Sequence, residues 1–330
     1  MKNSHSLQKE LNLVKKLIKN EIIEEKTISD LYKYIFKSDG KRLRAKLSLI
    51  TSSLNRRKNK KRLKLAAIIE LLHTATLVHD DVVDESQTRR GVKSVNNIWS
   101  NAHGVLIGDY IYSKAFILMV EIGEPKILRE LANATNDISK GELIQLDALQ
   151  NLSINLKQLE AISYFKTGRL FEASAKTGAI LSGEDINFIN NISKSAKYLG
   201  ILFQLKDDLL DYSLSEEVIG KPVFQDMKEG KVTYPFYYAY KNADKNDKTK
   251  LKSYLGKNKF NIKEAYNLIH KLNGISETEL LASKYLNQAV DAANTIKNKH
   301  VKEEMLKLIN SAFYRKKWAL YLSLVTAKMN

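Results

Sequence analysis

Apolar side chains recur every three to four residues along almost the whole chain, which is the spacing of amphipathic α-helices. Residues 6–26 carry them at Leu7, Leu11, Val14, Leu17, Ile18 and Ile22. Similar spacing predicts further helices over 27–36, from about 41 onwards, and over 60–85, 105–123, 125–149, 156–178, 183–212, 251–256, 261–272, 276–296 and 299–312. Only 3 prolines and 14 glycines interrupt this pattern. It predicts an all-α protein, one large helical bundle that forms a single domain over residues 1–330.

Three carboxylates stand at the C-terminal end of the predicted helix 60–85, after the mostly apolar run LAAIIELLHTATLVH. Asp80 and Asp84 are four residues apart, so a helix places them on one face, with Asp81 beside them. Stacked like charges repel, and the helix dipole disfavours anions at this end. This unfavourable arrangement indicates a bound cation. Because the available ligands are oxygen atoms and the chain has no cysteine, Mg²⁺ is the predicted ion.

Arg89 and Arg90 follow these acids within two helical turns. Guanidinium groups bind phosphate in a bidentate way, so the acids and arginines together indicate a magnesium–diphosphate site. His73 precedes Asp80 by seven residues and lies on nearly the same helix face. A histidine in an apolar helix is often a packed core residue, and a ligand role for His73 is an equal alternative.

The predicted helix 183–212 repeats the arrangement, since its apolar run ends in Asp207, Asp208 and Asp211 with the same spacing. One acid triplet on a helix is usually a solvated face, whereas two triplets that each close an apolar helix are hard to explain in that way. If both helices line a common cavity, we expect the two motifs to face each other and to hold several Mg²⁺ ions.

Basic residues lie where they could bind the phosphates. Lys41, Arg42 and Arg44 fall at the start of the predicted third helix, where they are either surface residues or ligands of an anion. The polar loop 213–231 contains Lys221 and Lys231 beside the second acid motif and is predicted to be a lid over a phosphate site.

The formal net charge of +17 raises the question of a nucleic-acid partner. Many of the lysines lie in asparagine-rich predicted surface turns, so we expect no nucleic-acid partner. The charge is either a consequence of composition or an attraction to anionic substrates or to an anionic membrane surface. The absence of cysteine excludes disulfides, zinc–thiolate sites and cysteine nucleophiles, and fits a cytoplasmic protein. No apolar run reaches the roughly 20 residues of a transmembrane helix. The apolar tail 318–330 would pack against a partner subunit or touch a membrane.

The segments around the acid motifs favour a substrate with a polar head and an apolar tail. The predicted helices would line a central cavity with mostly apolar side chains, from segments 65–79, 105–120 and 196–206. Burial of each methylene contributes about 0.8 kcal/mol, so a growing isoprenoid chain would supply its own binding free energy. Metal ions and fixed cations would stabilise the departing diphosphate.

Six motifs together resemble the trans-type polyprenyl diphosphate synthases, most closely the bacterial octaprenyl diphosphate synthase type, over about residues 38 to 240. They are GKRLR (40–44), HDDVVDESQTRRG (79–91), GDYIYSKAF (108–116), KTGRLFEASA (166–175), FQLKDDLLDY (203–212) and GKPVFQDMKEGKVTYP (220–235). The resemblance implies an isoprenoid-synthase-like homodimer and Mg²⁺-dependent condensation of isopentenyl diphosphate onto an allylic diphosphate. The implied primer is farnesyl diphosphate, and the implied product is octaprenyl diphosphate for the ubiquinone side chain.

The resemblance also implies roles for individual residues, carried over position by position. The catalytic residues would be Asp80, Asp84, Lys166 and Asp207. Two or three Mg²⁺ ions would be held by Asp80, Asp84 and Asp207, supported by Asp81, Asp208 and Asp211. The allylic diphosphate would be held by Arg89, Lys166, Thr167, Gln204, Lys221 and Lys231. Isopentenyl diphosphate would be held by Lys41, Arg44, His73 and Arg90.

Product length is expected to depend on the helix that precedes the first acid motif. Ala75 lies five residues before Asp80, with Thr76 next to it, where short-chain members of the family often have a bulky aromatic residue. Small side chains here would leave the pocket open towards a floor at Phe116 or Met119.

A few positions depart from the family pattern. Ala45 stands where proline is common, Ser38 and Asp39 precede Gly40 where a second glycine is usual, and Tyr234 is atypical. None of these changes removes a motif residue. The alternatives are the same chemistry with a geranylgeranyl, heptaprenyl or nonaprenyl product, a class I terpene cyclase, and an inactive regulatory subunit.

Overall fold

The computed structural model describes residues 2–21, 25–37, 40–54, 59–89, 91–212 and 223–314, and this part of the chain is almost entirely α-helical. The all-α prediction is confirmed. The helices are α1 Lys2–Asn20, α2 Lys26–Ile35, α3 Leu43–Thr51, α4 Asn59–Val83, α5 Val95–Ile98, α6 Asn101–Ile122, α7 Pro125–Asp147, α8 Leu156–Ser163, α9 Arg169–Ser182, α10 Ile186–Asp211, α11 Gln225–Lys228, α12 Tyr234–Asn242, α13 Lys245–Tyr254, α14 Ile262–Lys271, α15 Gly274–Asn294 and α16 Lys299–Phe313. None of these helices is long and apolar enough to cross a bilayer.

Side-chain caps explain where several helices begin. The Glu25 carboxylate accepts hydrogen bonds from the amides of Thr27 and Ile28 before α2. Asn155 and Gln158 form a reciprocal capping box at the start of α8. Each cap satisfies amides that have no partner inside the helix, and a lost cap typically costs about 1 kcal/mol.

The predicted helix 156–178 is helical throughout, but it is not a regular α-helix. A π-helical turn, Tyr164–Gly168, separates α8 from α9. The backbone of Phe165 and Lys166 lies against Gly141 of α7, where an added Cβ atom would come within 2.6 Å of the Phe165 Cβ atom. A π-turn inserts one residue into a helix, is often found at functional sites, and here it contains Lys166 and Thr167.

Three further elements differ from the pattern-based prediction. Strands β1 Thr88–Arg89 and β2 Val92–Lys93 form an antiparallel hairpin that the helical pattern did not predict. Helix α12 was not predicted, although Pro235 in its first turn is well placed to start a helix. Helix α13 begins at Lys245 rather than near residue 251. The prediction missed its first turns because they are rich in lysine and show no apolar period.

The described part of the chain folds into two compact units. Unit 1 comprises Met1–Thr135, Leu170–Ser193 and Ile296–Met305, and unit 2 comprises Asn136–Arg169, Lys194–Thr295 and Leu306–Asn330. In unit 1, α4 packs against α1, α3 and α6, and its stretch from Leu65 to Leu72 is buried on all sides. In unit 2, α12 packs against α13, α14 and α15. That residues 1–330 form a single domain remains a prediction.

Candidate functional site

The first acid motif closes α4, whose buried body fixes its position. Asp80 and Asp81 lie in the last turn, and the Asp84 amide donates a 2.8 Å hydrogen bond to the Asp80 carbonyl, which extends the helical bonding by one residue. Asp80 and Asp84 are half-buried, whereas Asp81 is buried. The two outer carboxylates of the motif are therefore more accessible to a ligand than the middle one.

Asp81 holds Arg89, which the β-hairpin brings back to the end of α4. The Arg89 Nε atom donates to Asp81 Oδ1 at 2.7 Å, and its Nη2 atom bonds the same oxygen. Burial raises the pKa of the Asp81 carboxyl, while the Arg89 guanidinium acts in the opposite direction. A carboxylate engaged in this way suits the supporting role that was expected for Asp81.

Arg44 and His73, which are 29 positions apart, meet in unit 1. Arg44 Nη1 lies 3.1 Å from His73 Nε2, and the guanidinium carbon lies 4.6 Å from the centre of the Phe171 ring. A guanidinium only donates hydrogen bonds, so the Nε2 atom accepts and the proton of a neutral His73 lies on Nδ1. The structure thus brings together two of the residues expected to bind isopentenyl diphosphate. Lys41 is exposed in the loop before α3.

Ala45, which stands where proline is common in the family pattern, makes an additional contact at the start of α3. The Ala45 amide donates to Glu70 Oε1 at 3.2 Å, and Glu70 is a buried residue of α4. Proline, the common residue here in the family, has no amide hydrogen to donate. This bond ties the turn that contains Arg44 to the helix that contains His73.

One cavity of unit 1 lies along α4 between the N-terminal helices and the hairpin. Its polar lining includes His73, Asp81 and Arg89 together with Gly40 and Arg42. Arg42 has a left-handed backbone, φ +48°, which is uncommon for a residue other than glycine. Three predicted site residues therefore share one cavity with the GKRLR turn.

The second acid motif closes α10 in unit 2 and belongs to a hydrogen-bond chain. Thr167 Oγ1 donates to Gln204 Oε1 at 2.7 Å, and Gln204 Nε2 donates to Asp208 Oδ1 at 2.8 Å. Asp208 is buried, whereas Asp207 is half-buried. The chain connects the π-turn to the acid motif and fixes the side-chain amide of Gln204.

Asp226 is a site residue that sequence reasoning did not single out. Asp211 accepts hydrogen bonds from the backbone amides of Gln225 at 2.9 Å and Asp226 at 3.1 Å, which anchors α11 beside the motif. Burial and the charge of Asp226 raise the pKa values of Asp208 and Asp211 well above their ordinary range. The available signal was the position of Asp226 in the polar segment 213–231, which also contains the predicted ligand Lys231.

These raised pKa values predict that Asp226→Asn stabilises the metal-free protein at neutral pH. The folded carboxyls bind protons more tightly than the unfolded ones, whose pKa is near 3.8, so the free energy of unfolding falls as the pH rises from that value through the folded pKa values. Removal of one repelling charge should raise Tm by about 2–4 °C at pH 8 in EDTA, and the gain should vanish near pH 4. Exposed Asp291→Asn is the control. A lower Tm for Asp226→Asn at pH 8 would contradict the prediction.

A second cavity, in unit 2, gathers residues that were expected to hold the allylic diphosphate. Its lining includes Lys166, Gln204, Asp208, Asp226 and Lys231. The Lys166 ammonium donates to Glu142 at 2.9 Å and to Gln145 at 2.8 Å, and the Lys231 ammonium lies 2.6 Å from a Glu229 oxygen. Glu142 and Gln145 are three residues apart on α7, which puts both on one helix face. That spacing was the signal in the sequence that the two side chains can bind one common partner.

The residues expected to set product length lie inside unit 1. Ala75 is fully buried in α4, and the Thr76 hydroxyl donates to the His73 carbonyl at 2.8 Å. Met119 is 1% exposed on α6, and the Phe116 ring packs against Tyr112 with 5.6 Å between the ring centres. Ala75 and Met119 belong to one apolar cluster of buried side chains, against which Phe116 packs.

The oxygen donors suit Mg²⁺, although among the described residues no group of three acidic or histidine side chains converges as a complete metal site. Mg²⁺ keeps several waters and is usually bound by one or two carboxylates plus substrate phosphates, so a preformed cage is not required. Half-buried Asp80, Asp84 and Asp207 fit that chemistry. Three predictions, Arg90, Lys221 and the tail 318–330, lie outside the described residues.

Comparison with known proteins identifies the family. The polyprenyl synthetase family model matches residues 25–272 of the chain. The chain belongs to the polyprenyl synthetase family. The family resemblance seen in the motifs is therefore confirmed, and members of the family are prenyltransferases that use isoprenyl diphosphates, generally with Mg²⁺.

Individual relatives support this assignment. Octaprenyl diphosphate synthase of Escherichia coli K12 is 41% identical over 212 residues, which is 64% of this chain and 66% of the relative, just under two thirds of its length. The crystal structure of a decaprenyl diphosphate synthase from Rhodobacter capsulatus matches with a TM-score of 0.88 and 32% identity, covering 94% of this chain and 98% of the other. The crystal structure of a polyprenyl synthase from Caulobacter crescentus, complexed with calcium and isoprenyl diphosphate, matches with a TM-score of 0.89 and 32% identity. This match covers 94% of this chain and 96% of the other.

Proposed function

We propose that this polyprenyl synthetase makes a long all-trans polyprenyl diphosphate by successive head-to-tail addition of isopentenyl diphosphate to an allylic diphosphate. Farnesyl diphosphate is the proposed primer, and octaprenyl diphosphate for the ubiquinone side chain is the proposed product. The observation that carries the proposal is the cavity of unit 2, where Lys166, Gln204 and Lys231 lie with Asp208 of an aspartate-rich motif. Cations and carboxylates on one cavity suit a metal-bound diphosphate better than a neutral ligand.

The allylic substrate would be held by its diphosphate. Lys166 and Lys231 can donate to phosphate oxygens once they exchange their present carboxylate partners, and Gln204 is oriented by Thr167 and Asp208. Bound Mg²⁺ would neutralise charge on the leaving diphosphate. We propose that Asp80, Asp84 and Asp207 hold two or three such ions.

Isopentenyl diphosphate would be held by Arg44 and His73, with Lys41 and Arg90. The Arg44 guanidinium is fixed by His73 and by the Phe171 ring, so it loses little conformational freedom when it binds phosphate. In each round the allylic C–O bond breaks, a C–C bond forms to the isopentenyl double bond, and one proton leaves, which the released diphosphate can accept. No side chain is needed as a dedicated base.

The assembly and location are part of the same proposal. We place the enzyme in the cytoplasm as a homodimer of single-domain subunits, with isopentenyl and allylic diphosphates as its ligands and no nucleic-acid partner. We propose that Lys221 belongs to a lid over the diphosphate.

The test is an assay with labelled isopentenyl diphosphate, farnesyl diphosphate and Mg²⁺, in which products are separated by length. We expect one long linear product whose formation stops in EDTA. A shorter or longer linear product would change only the proposed length. A cyclic hydrocarbon would indicate a class I terpene cyclase, and no turnover without a second chain would indicate a regulatory subunit.

Ala75→Tyr is expected to shorten the product by at least one isoprene unit. A tyrosine five residues before Asp80 would fill space along the proposed path of the tail. Because Ala75 is fully buried, the larger ring should also cost about 1–3 kcal/mol of stability. Ala75→Ser is the matched control and should keep the parent length. Unchanged length in a variant that melts cooperatively would show that the tail does not pass Ala75.

A further inference from the structure

Residues 241–271 form a dense positive surface on unit 2, which we call the lysine surface. It spans the end of α12, all of α13 and α14, and the turn between them. This stretch contains three acids and the nine lysines Lys241, Lys245, Lys248, Lys250, Lys252, Lys257, Lys259, Lys263 and Lys271. It therefore holds about a third of the formal net charge of +17 in less than a tenth of the chain.

The three acids of this surface are engaged in local contacts. Asp244 caps α13 by accepting the Asp247 amide at 2.8 Å, and the Asp247 carboxylate, only 14% exposed, pairs with Lys271 at 3.0 Å. Glu264 lies 3.4 Å from the Tyr254 hydroxyl. All the lysines except half-buried Lys248 are exposed. The surface consequently presents an excess of ammonium groups to solvent.

The lysines are close enough to act together on a charged surface. Helix α13 has ten residues and is about 15 Å long, while the Debye length at physiological salt is about 8 Å. Potentials of neighbouring lysines therefore overlap. Near an anionic leaflet, each lysine raises the partition coefficient by about fivefold, so several acting together give stable but salt-sensitive binding.

The side-chain types favour a lipid surface over a nucleic acid. Residues 241–271 contain no arginine, the residue best suited to bidentate contacts with phosphates and bases. Half-buried aromatic residues occur in this stretch or directly before it, at Tyr240, Tyr254, Phe260 and Tyr266, and the Lys248 ammonium lies 5.6 Å from the centre of the Tyr240 ring. Amphipathic aromatic rings are enriched where proteins meet the headgroup region. We propose that the lysine surface docks this protein on an anionic phospholipid membrane.

This inference goes beyond the proposed synthase activity and does not depend on it. If both hold, a product with a long hydrocarbon tail would be made beside the bilayer that can take it up. Binding is measured without substrate, so an inactive but folded chain would still test the docking, and a failure to dock would leave the activity assay unaffected.

The test compares two fourfold variants of the full chain that lose the same positive charge. One carries Lys245→Gln, Lys250→Gln, Lys252→Gln and Lys263→Gln on the lysine surface. The control carries Lys126→Gln, Lys157→Gln, Lys284→Gln and Lys297→Gln, which are exposed elsewhere. Each is sedimented with vesicles of phosphatidylcholine alone or with added phosphatidylglycerol, at low and high salt, and circular dichroism verifies the fold.

We expect the parent chain and the control to bind only the phosphatidylglycerol vesicles, and less at high salt. The lysine-surface variant should bind about a hundredfold more weakly or worse than the parent, and the control within about threefold of it. Equal losses in both variants would overturn the proposal, because the whole-chain charge would then be responsible. The proposal would also be overturned if the parent chain did not bind the phosphatidylglycerol vesicles. It would likewise be overturned if the parent bound duplex DNA more tightly than these vesicles and the lysine-surface substitutions abolished the DNA binding.

Discussion

Asp80→Asn is expected to lower kcat/KM by about a thousandfold or more, because a neutral amide binds Mg²⁺ poorly and no longer balances its charge beside the diphosphate. Asp80 is half-buried at the end of α4, whose buried body holds it in place, so the exchange should leave the fold intact. The measurement is the initial rate of isopentenyl diphosphate incorporation across a range of Mg²⁺ concentrations.

The control for this loss is Asp291→Asn, which removes an exposed carboxylate from α15, away from both acid motifs in the sequence. It removes the same charge and should keep the parent rate. If Asp80→Asn retained more than about a tenth of the parent kcat/KM at saturating Mg²⁺, Asp80 would not be a metal ligand.

Lys166→Met should lower kcat/KM for the allylic diphosphate by about a hundredfold or more, with little change in KM for isopentenyl diphosphate. The Lys166 ammonium lines the cavity of unit 2, and its loss removes charge-assisted hydrogen bonds to the diphosphate. Methionine keeps the aliphatic length of the side chain, so packing in the π-turn is largely retained. Steady-state kinetics with each substrate varied in turn give the two values.

Lys140 provides a matched control for Lys166. It is exposed on α7, and its ammonium lies 5.2 Å from the centre of the Phe165 ring, next to the same π-turn. Lys140→Met should leave both KM values near those of the parent. A similar loss in both variants would assign the effect to the local packing of the turn rather than to contact between Lys166 and the substrate.

Family and helical content were readable from the sequence because both depend on short-range information. The 3.6-residue period needs only neighbouring positions, and it located α4, α6, α7 and α10 to within a few residues. The two aspartate triplets are contiguous motifs, and each does lie at the end of its helix. The roles of Asp80, Asp84 and Asp207 remain predictions until kinetics test them.

Helix period alone could not locate features that depend on long-range packing. The π-turn at Tyr164–Gly168 lies where Gly141 of α7 approaches the backbone closely. The spacing of apolar residues along the chain is regular there and does not reveal the turn. Helix α13 was placed too late because its first turns are polar and owe their order to the Asp244 cap. Local patterns record which face of a helix is apolar, and they carry no information on what lies opposite.

By itself the sequence determined the all-α class, the family and the positions of the charged motifs, since these follow from helical period and contiguous residues. Only the tertiary structure decided which distant side chains meet. It paired Arg44 with His73, Ala45 with Glu70, and Asp211 with the start of α11, where Asp226 adds a further negative charge to the second motif. The physical reason is that such pairs depend on how helices pack, which is set by many weak contacts between residues far apart in the chain.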